Sequence, residues 1–333
     1  MKLRVWRQLA CITCVWIFLT AARVHTPPTF APLTETHPLS TLFPSATENF
    51  NALYQAVYAQ VYDAAAAKFA HVITSAESVA DRVHIRPFWW HDVRDVEDAR
   101  ALSIRFGVPM SYLESLNPGV DFATLNEPSR ILLYRADPDL PARSVGTASG
   151  GHFVEGMPMI ADDPWVIRDP ARAWAMPHTI HRLAAGMRYV AHRYPGASVM
   201  MIGDLSRFGG GRMRPHRSHQ SGRDADITYY ARGVDAPTSQ FWDARTSEFD
   251  VARTWALFKY WLVRDWAEFI FVDHAIQRML ADYAYSVGED PDFVQRVFEV
   301  EGGGMRSIIR HAPGHANHFH VRFRCLDVDT DCK

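Results

Sequence analysis

The sequence has few cysteines, no large excess of charge of either sign and no long hydrophobic run. Only 4 of its 333 residues are cysteines, and the formal net charge is −2 at pH 7. Because no basic patch or stripe is present, the sequence does not predict a nucleic-acid-binding protein. Hydrophobic residues make up 48% of the chain, and the length is sufficient for two domains with separate cores.

Residues 1–22 predict a signal peptide. Basic residues near the start precede an apolar run, residues 9–22, of the usual length for such a signal. The run is too short to indicate a transmembrane helix, so we expect no stable membrane span once the signal is removed. An uncleaved anchor is the alternative. Residues 23–88 follow as a helical and linker region, in which apolar residues recur every three or four positions from residue 46 to 81.

Two short segments, residues 218–226 and residues 315–323, contain most of the candidate site. The second segment alternates polar and apolar residues and predicts a strand, because successive strand side chains point to opposite faces. Its polar face would carry two histidines and two arginines: His318, His320, Arg322 and Arg324. Residues 224–229 show the same alternation, so pairing of the two strands would bring Asp226 close to the histidines. His219 would reach the same place from the loop before Gly222.

Together these segments offer ligands for a divalent metal ion. Two imidazoles and one carboxylate, with a water in the fourth position, are the composition of an open catalytic zinc site. A single histidine is usually a structural residue, but two at positions i and i+2, beside a second histidine-rich segment, favour a metal site. The histidines of the two segments cannot all be metal ligands of an open site, so some of them should instead contact the metal-binding residues or the substrate.

The motifs resemble a known superfamily of zinc peptidases. Residues 219–226 match the His-x6-Asp element, and residues 318–320 the His-x-His element, of the lysostaphin, D-Ala-D-Ala carboxypeptidase and hedgehog superfamily. The longer strings at residues 215–222 and 315–322 resemble one branch, the penicillin-insensitive murein endopeptidases. The resemblance extends over residues 151–323, where it includes the segments 167–170, 173–174 and 203–206.

This resemblance implies a role for each histidine. The Zn²⁺ ligands would be His219, Asp226 and His320. His318 would accept or donate a proton in catalysis, and His315 is the further catalytic candidate. His216 would lie outside the ligand set, close to the metal or to the substrate.

Two carboxylates and two arginines are further candidates for the surroundings of the metal. Asp204 and Asp224 would orient the ligands, although solvent-facing or turn carboxylates are the alternative. Arg322 and Arg324 would attract a substrate carboxylate, and solvated charges at a strand edge are the alternative. Residues 209–211, three consecutive glycines, predict a mobile loop just before the metal segment.

The resemblance also implies a fold and an activity. The fold would be α+β, with a small antiparallel sheet that carries the zinc ligands and helices that flank it. The protein would be an exported metalloendopeptidase of the periplasm or cell envelope, hydrolysing D-alanine to diaminopimelate cross-links of peptidoglycan with a zinc-bound water. The alternatives are a zinc D,D-carboxypeptidase of the same superfamily and a non-catalytic wall-binding protein with structural zinc. A serine mechanism is disfavoured because Ser218 and Ser221 lie in no serine-hydrolase motif.

Residues 89–135 predict a small module with the order strand, helix, helix, strand. The first helix would span residues 99–106, with Asp95 as its cap, and Ser111 would cap the second. The order resembles a LysM module, whose family binds glycans that contain N-acetylglucosamine. The usual Gly-Asp-Thr start is absent, so glycan binding stays open. Residues 136–150 predict a linker, and residues 151–333 the zinc peptidase domain.

The remaining cysteines predict a disulfide. Cys11 and Cys14 lie inside the apolar run, which leaves Cys325 and Cys332 for the exported part. Their spacing closes a small loop, and an oxidising compartment would favour a bond between them. The alternative, that both bind a metal, is disfavoured because the histidine and aspartate site is already complete.

Overall fold

The computed structural model describes the chain in several stretches: residues 88–93, 98–123, 125, 129–137, 140, 142–233, 240–327 and 329–333. The predicted signal peptide and the helical pattern of residues 46–81 lie outside the described residues. None of the helices in the described stretches combines the length and the apolar character needed to cross a membrane.

The described residues form both α-helices and β-strands, which fits the predicted α+β class. The helices are α1 (Ala99–Phe106), α2 (Met110–Leu116), α3 (Pro177–Arg193), α4 (Val251–Leu262), α5 (His274–Ser286) and α6 (Pro291–Val297). The first six strands are β1 (Phe88–Val93), β2 (Ser129–Arg135), β3 (Arg143–Thr147), β4 (Gly150–Val154), β5 (Met157–Pro158) and β6 (Trp165–Ile167). The other strands are β7 (Trp174–Ala175), β8 (Met200–Ile202), β9 (Asp224–Ile227), β10 (Ala267–Val272), β11 (Ile309–His311) and β12 (Phe319–Phe323).

A six-stranded sheet with the order β11-β10-β12-β9-β8-β6 holds the two segments of alternating residues. Its central strand β12 is antiparallel to both of its neighbours, β9 and β10. The outer pairs β10–β11 and β6–β8 are parallel, so the sheet is mixed rather than antiparallel as predicted. The reason lies in the connections: helical segments link β6 to β8 and β10 to β11, and such crossovers allow parallel pairing.

The apolar side of β12 packs into the core. Phe319, Val321 and Phe323 are fully buried, and the two phenylalanine rings contact Trp261 of α4. Burial of each of these side chains stabilises the fold by roughly 1.5–3 kcal/mol. A slip of one residue would expose all three, so their burial fixes which side chains of β12 face the opposite side of the sheet.

The module at the start of the described chain has the predicted order of elements. Strands β1 and β2 pair antiparallel with α1 and α2 between them. The Asp98 side chain caps α1 by accepting a hydrogen bond from the Arg100 amide at 2.7 Å, whereas the predicted cap Asp95 lies outside the described residues. Helix α2 follows Pro109 without a side-chain cap. Ser111 therefore lies inside the helix, and its prediction as a cap is wrong.

The last part of the predicted linker is ordered as a hairpin of β3 and β4. Ser144 is fully buried there. Its amide donates to Asp329 Oδ2 at 2.7 Å, and its hydroxyl donates to the carbonyl of Ser221 at 2.9 Å. The hairpin thus supports the segment that follows His219. The flexible linker therefore ends before Arg143, because residues that make buried hydrogen bonds of this kind hold a fixed position.

Cys325 and Cys332 form a disulfide with a Cα–Cα distance of 5.9 Å. The loop between them contains Asp329, which accepts the hydrogen bond from Ser144. The disulfide therefore closes the loop that holds the β3–β4 hairpin.

Replacing both cysteines by serine is expected to lower the free energy of unfolding by about 2.5 kcal/mol, because the bond closes a short loop in the unfolded chain. Denaturant unfolding of the wild type and the double variant, under oxidising and reducing conditions, measures the difference. Reduction should bring the wild type to the stability of the variant. Equal stability of all samples would contradict a structural role for this disulfide.

Candidate metal centre

His320 and Asp226 face each other on neighbouring strands, as the alternation predicts. The register of β12 and β9 pairs His320 with Asp226 and Arg322 with Asp224. His320 Nδ1 lies 2.9 Å from Asp226 Oδ1, and its Nε2 lies 2.9 Å from Asp224 Oδ1. All three side chains are buried, so the imidazole is held between two carboxylates.

His219 is fixed in an unusual backbone conformation. Its φ of 63° lies in the left-handed region, which costs a residue other than glycine roughly 1–2 kcal/mol. Its amide donates to Asp224 Oδ2 at 3.0 Å, and its carbonyl accepts from the Ser206 hydroxyl at 2.6 Å. Its ring Nδ1 donates to the Leu205 carbonyl at 2.5 Å. Such a strained residue, held from three sides, is typical of functional sites.

The other ring nitrogen of His219 is available to a cation. Because a carbonyl only accepts, the contact with Leu205 places a proton on Nδ1, so in the neutral ring, the form that binds a metal, the lone pair is on Nε2. This Nε2 atom is buried, has no hydrogen-bond partner among the described residues, and lies 3.3 Å from Asp226 Oδ1. A buried polar atom without a partner is rare and needs an explanation. A metal ion would provide one.

His216, which is partly exposed, also approaches Asp226. Its Nε2 donates to Asp204 Oδ2 at 2.7 Å, and its Nδ1 lies 3.6 Å from Asp226 Oδ2. Arg168 and Arg172 also contact the Asp204 carboxylate. Burial raises the pKa of Asp204, but the hydrogen bonds from His216 and Arg168 outweigh it and leave the pKa below its usual value.

The imidazoles of His216, His219 and His320 follow the same pattern around Asp226. In each, one ring nitrogen contacts an acceptor outside the centre and the other faces Asp226, as in metal-binding histidines whose ring is oriented by a carboxylate or carbonyl. Ligand atoms of His216, His219 and Asp226 lie within 4.8 Å of one another, so this group could hold a metal ion. Imidazole nitrogens and a carboxylate oxygen suit zinc among the divalent metals.

The electrostatics of the centre favour a cation. Burial raises the pKa of Asp226, but His219 and His320 outweigh it and hold the pKa well below its usual value. Burial lowers the pKa of His320, but its hydrogen bonds to Asp224 and Asp226 outweigh that effect and raise the pKa to about 9. Without a metal the carboxylates therefore favour a proton on His320, and a metal ion would displace this proton on binding.

His318 and His315 lie beside this centre. His318 Nε2 is 4.0 Å from Asp226 Oδ1, and its Nδ1 donates to Asn317 Oδ1 at 2.7 Å. Burial lowers the pKa of His318 to about 4, against the opposing effect of Asp226. The ring of His315 lies 4.9 Å from that of His318, and burial also lowers its pKa. Both rings are therefore neutral at pH 7 and able to accept a proton.

The two arginines that we expected to face a substrate carboxylate contact carboxylates of the protein itself. Arg322 Nε donates to Asp224 Oδ1 at 2.8 Å, and Arg324 Nε donates to Asp265 Oδ1 at 3.0 Å. Arg322 therefore supports the candidate metal centre, because the same Asp224 oxygen contacts His320.

The glycine loop before the metal segment is held by hydrogen bonds rather than left free, unlike the mobile loop that we predicted. The Gly210 amide donates to the Arg207 carbonyl, and the Gly211 amide donates to the Gln220 carbonyl, both at 2.9 Å. Residues 209–211 all have positive φ, a conformation that favours glycine. The loop therefore anchors the residue that follows His219.

Alanine is expected to be far more disruptive at position 210 than at position 209. Both glycines have φ near +70°, but a Cβ on Gly210 would lie 2.2 Å from the Gln220 carbonyl oxygen, and one on Gly209 would meet nothing within 4 Å. We expect Gly209→Ala to cost about 1 kcal/mol and Gly210→Ala about 3 kcal/mol or more. Denaturant unfolding measures both losses in the free energy of unfolding, and equal losses for the two variants would contradict this account of the loop.

Sequence analysis did not find Arg168 and Arg172, which contact Asp204. Arg168 lies in one of the strings that carry the resemblance, but nothing in the sequence joins it to Asp204. The contact depends on the parallel pairing of β6 with β8, in which Ile167 lies opposite Ile202. The structure thus brings together every predicted histidine and carboxylate of the site and adds these two arginines.

Comparison with known proteins gives one family. The family model described as penicillin-insensitive murein endopeptidase matches residues 144–333. The match spans more than half of the chain and contains every candidate site residue named above. No curated protein sequence matches the chain.

Proposed function

The chain belongs to the penicillin-insensitive murein endopeptidase family, and from this we propose that it is an exported zinc metalloendopeptidase. Its substrate would be the D-alanine to diaminopimelate cross-link of peptidoglycan. The observation that supports a metal-dependent reaction most strongly is the buried Nε2 of His219, which has no hydrogen-bond partner among the described residues and faces Asp226.

We assign His219, Asp226 and His320 as the zinc ligands. His219 Nε2 and His320 Nδ1 lie 3.3 Å and 2.9 Å from Asp226 Oδ1. In contrast, His216 Nδ1 lies 3.6 Å from the other carboxylate oxygen, Oδ2. His216 is also the most exposed of the three imidazoles, at 22%. Three protein ligands leave a position for water, as catalysis requires, and His216 then lies at the entrance to the centre.

Zinc, when bound, would supply a Lewis acid and a more acidic water for attack on the peptide carbonyl. His318 would accept the proton of the attacking water at Nε2, because its Nδ1 proton is engaged by Asn317. The same nitrogen would then donate the proton to the amine that leaves. Asp224 would orient the ring of His320 through Nε2, and Arg322 would balance the charge of Asp224.

The rest of the chain fits an enzyme that works on an insoluble polymer. We propose that residues 1–22 direct export to the periplasm or cell envelope, and that residues 89–135 form a LysM-like module beside a peptidase domain at 151–333. A module that binds glycan would keep the enzyme on its substrate and raise the local concentration of cross-links without new catalytic contacts.

Digestion of purified cross-linked muropeptide dimers, with products resolved by mass spectrometry, tests the activity. The wild type should convert dimers to monomers, and His320→Ala should leave the dimers intact. Loss of terminal D-alanine from uncrosslinked stems, with intact dimers, would instead indicate a D,D-carboxypeptidase. Binding to sacculi without any hydrolysis would indicate a wall-binding protein.

A further inference from the structure

Phe241 lies directly against the residue that we assign to proton transfer. Its ring stacks on that of His318, with centroids 4.7 Å apart and planes inclined by 25°. His318 precedes β12, so its ring is not fixed by the pairing of the sheet. Its orientation therefore depends on its side-chain neighbours, Asn317, His315 and Phe241, and Phe241 provides the stacked face.

The same phenyl ring contacts the charged group that supports His216. The guanidinium carbon of Arg168 lies 4.9 Å from the centroid of the Phe241 ring, and this guanidinium contacts Asp204. Asp204 in turn accepts the hydrogen bond from His216. One aromatic ring thus touches both the proton-transfer residue and the arginine that supports Asp204.

The position of Phe241 is fixed by close packing. A Cβ on Gly203 would lie 2.5 Å from Phe241 Cζ, so the ring fills the space above the backbone of Gly203. Three residues further along, the amide of Ala244 donates to the Ala316 carbonyl at 2.8 Å, and Ala244 is fully buried. This hydrogen bond ties the segment of Phe241 to the loop that carries His318.

We propose that Phe241 is a positioning residue for His318, an inference that rests on the zinc peptidase function proposed above. Its flat face holds the imidazole at the angle at which Nε2 can reach the attacking water and then the leaving amine. A reacting group displaced by about 1 Å can lose roughly a hundredfold in rate. Phe241 acts through His318 and takes no part in metal binding or proton transfer itself.

The test removes the ring but keeps an apolar side chain at this position. Phe241→Leu should lower kcat on muropeptide dimers about tenfold or more, with KM within about threefold of the wild type and bound zinc unchanged. Phe293→Leu, the same substitution on the half-buried ring of α6, is the matched control and should behave as the wild type.

A double-mutant cycle separates positioning from general damage to the fold. If Phe241 acts through His318, Phe241→Leu should cause no further loss in a His318→Gln background. A wild-type kcat for Phe241→Leu, an equal loss in the Phe293→Leu control, or independent losses in the cycle would each overturn the inference. A wild type that leaves dimers intact would instead refute the proposed function itself.

Discussion

Replacing Asp226 by asparagine is expected to abolish metal binding and to lower kcat/KM on cross-linked muropeptides by about a thousandfold or more. The carboxylate lies at the point where three imidazoles converge and is 2% exposed. Asparagine keeps the size of the side chain but removes the charge that favours a cation at this point. Metal analysis of the purified variant, together with its rate of dimer cleavage, measures both effects.

The matched control for this variant is Asp290→Asn. Asp290 caps α6 by accepting a hydrogen bond from the Asp292 amide, and asparagine is an equally good capping residue. This control should keep wild-type metal content and activity. Retention of the metal by Asp226→Asn, with full activity, would exclude Asp226 as a ligand.

Replacing His318 by glutamine is expected to lower kcat by about a hundredfold to ten-thousandfold while the bound zinc is kept. Glutamine can retain a hydrogen bond to Asn317, but it cannot accept and then donate a proton near neutral pH. The pKa of His318 is lowered to about 4, chiefly by burial, so the wild-type ring is neutral at pH 7 and has one unprotonated ring nitrogen. Steady-state kinetics and metal analysis on the same preparation measure the two effects.

His192→Gln is the control for this second variant, because His192 is exposed at the end of α3. It should leave kcat and bound zinc unchanged. A His318→Gln variant that loses zinc together with activity would show that His318 is a ligand. A variant with wild-type kcat would show that another group moves the proton.

The centre of the site could be predicted because one register determines it. The apolar residues of β12 must enter the core, which places His320 on the other face, opposite Asp226. The same register also places Arg322 opposite Asp224. The sequence therefore contained the signal for this ion pair, although we expected Arg322 to face the substrate.

The surroundings of the site could not be predicted, because they come from distant parts of the chain. Arg168 reaches Asp204 through the parallel pairing of β6 with β8, and parallel pairs have no local signal in the sequence. Phe241 lies in an irregular segment, where no hydrophobic period shows which neighbour it will contact. His216 was predicted close to the metal or to the substrate, but its closeness to Asp226 depends on the fold of the loop.

The central claim is that one metal ion, held at Asp226, His219 and His320, is needed to cleave the cross-links. The most direct test is to titrate Zn²⁺ into the metal-free full-length protein while measuring bound metal and the conversion of muropeptide dimers to monomers. The account predicts that cleavage rises with bound zinc and saturates at about one equivalent, and that His320→Ala neither binds zinc tightly nor cleaves. Binding of one equivalent with intact dimers, or cleavage by the metal-free protein, would contradict it.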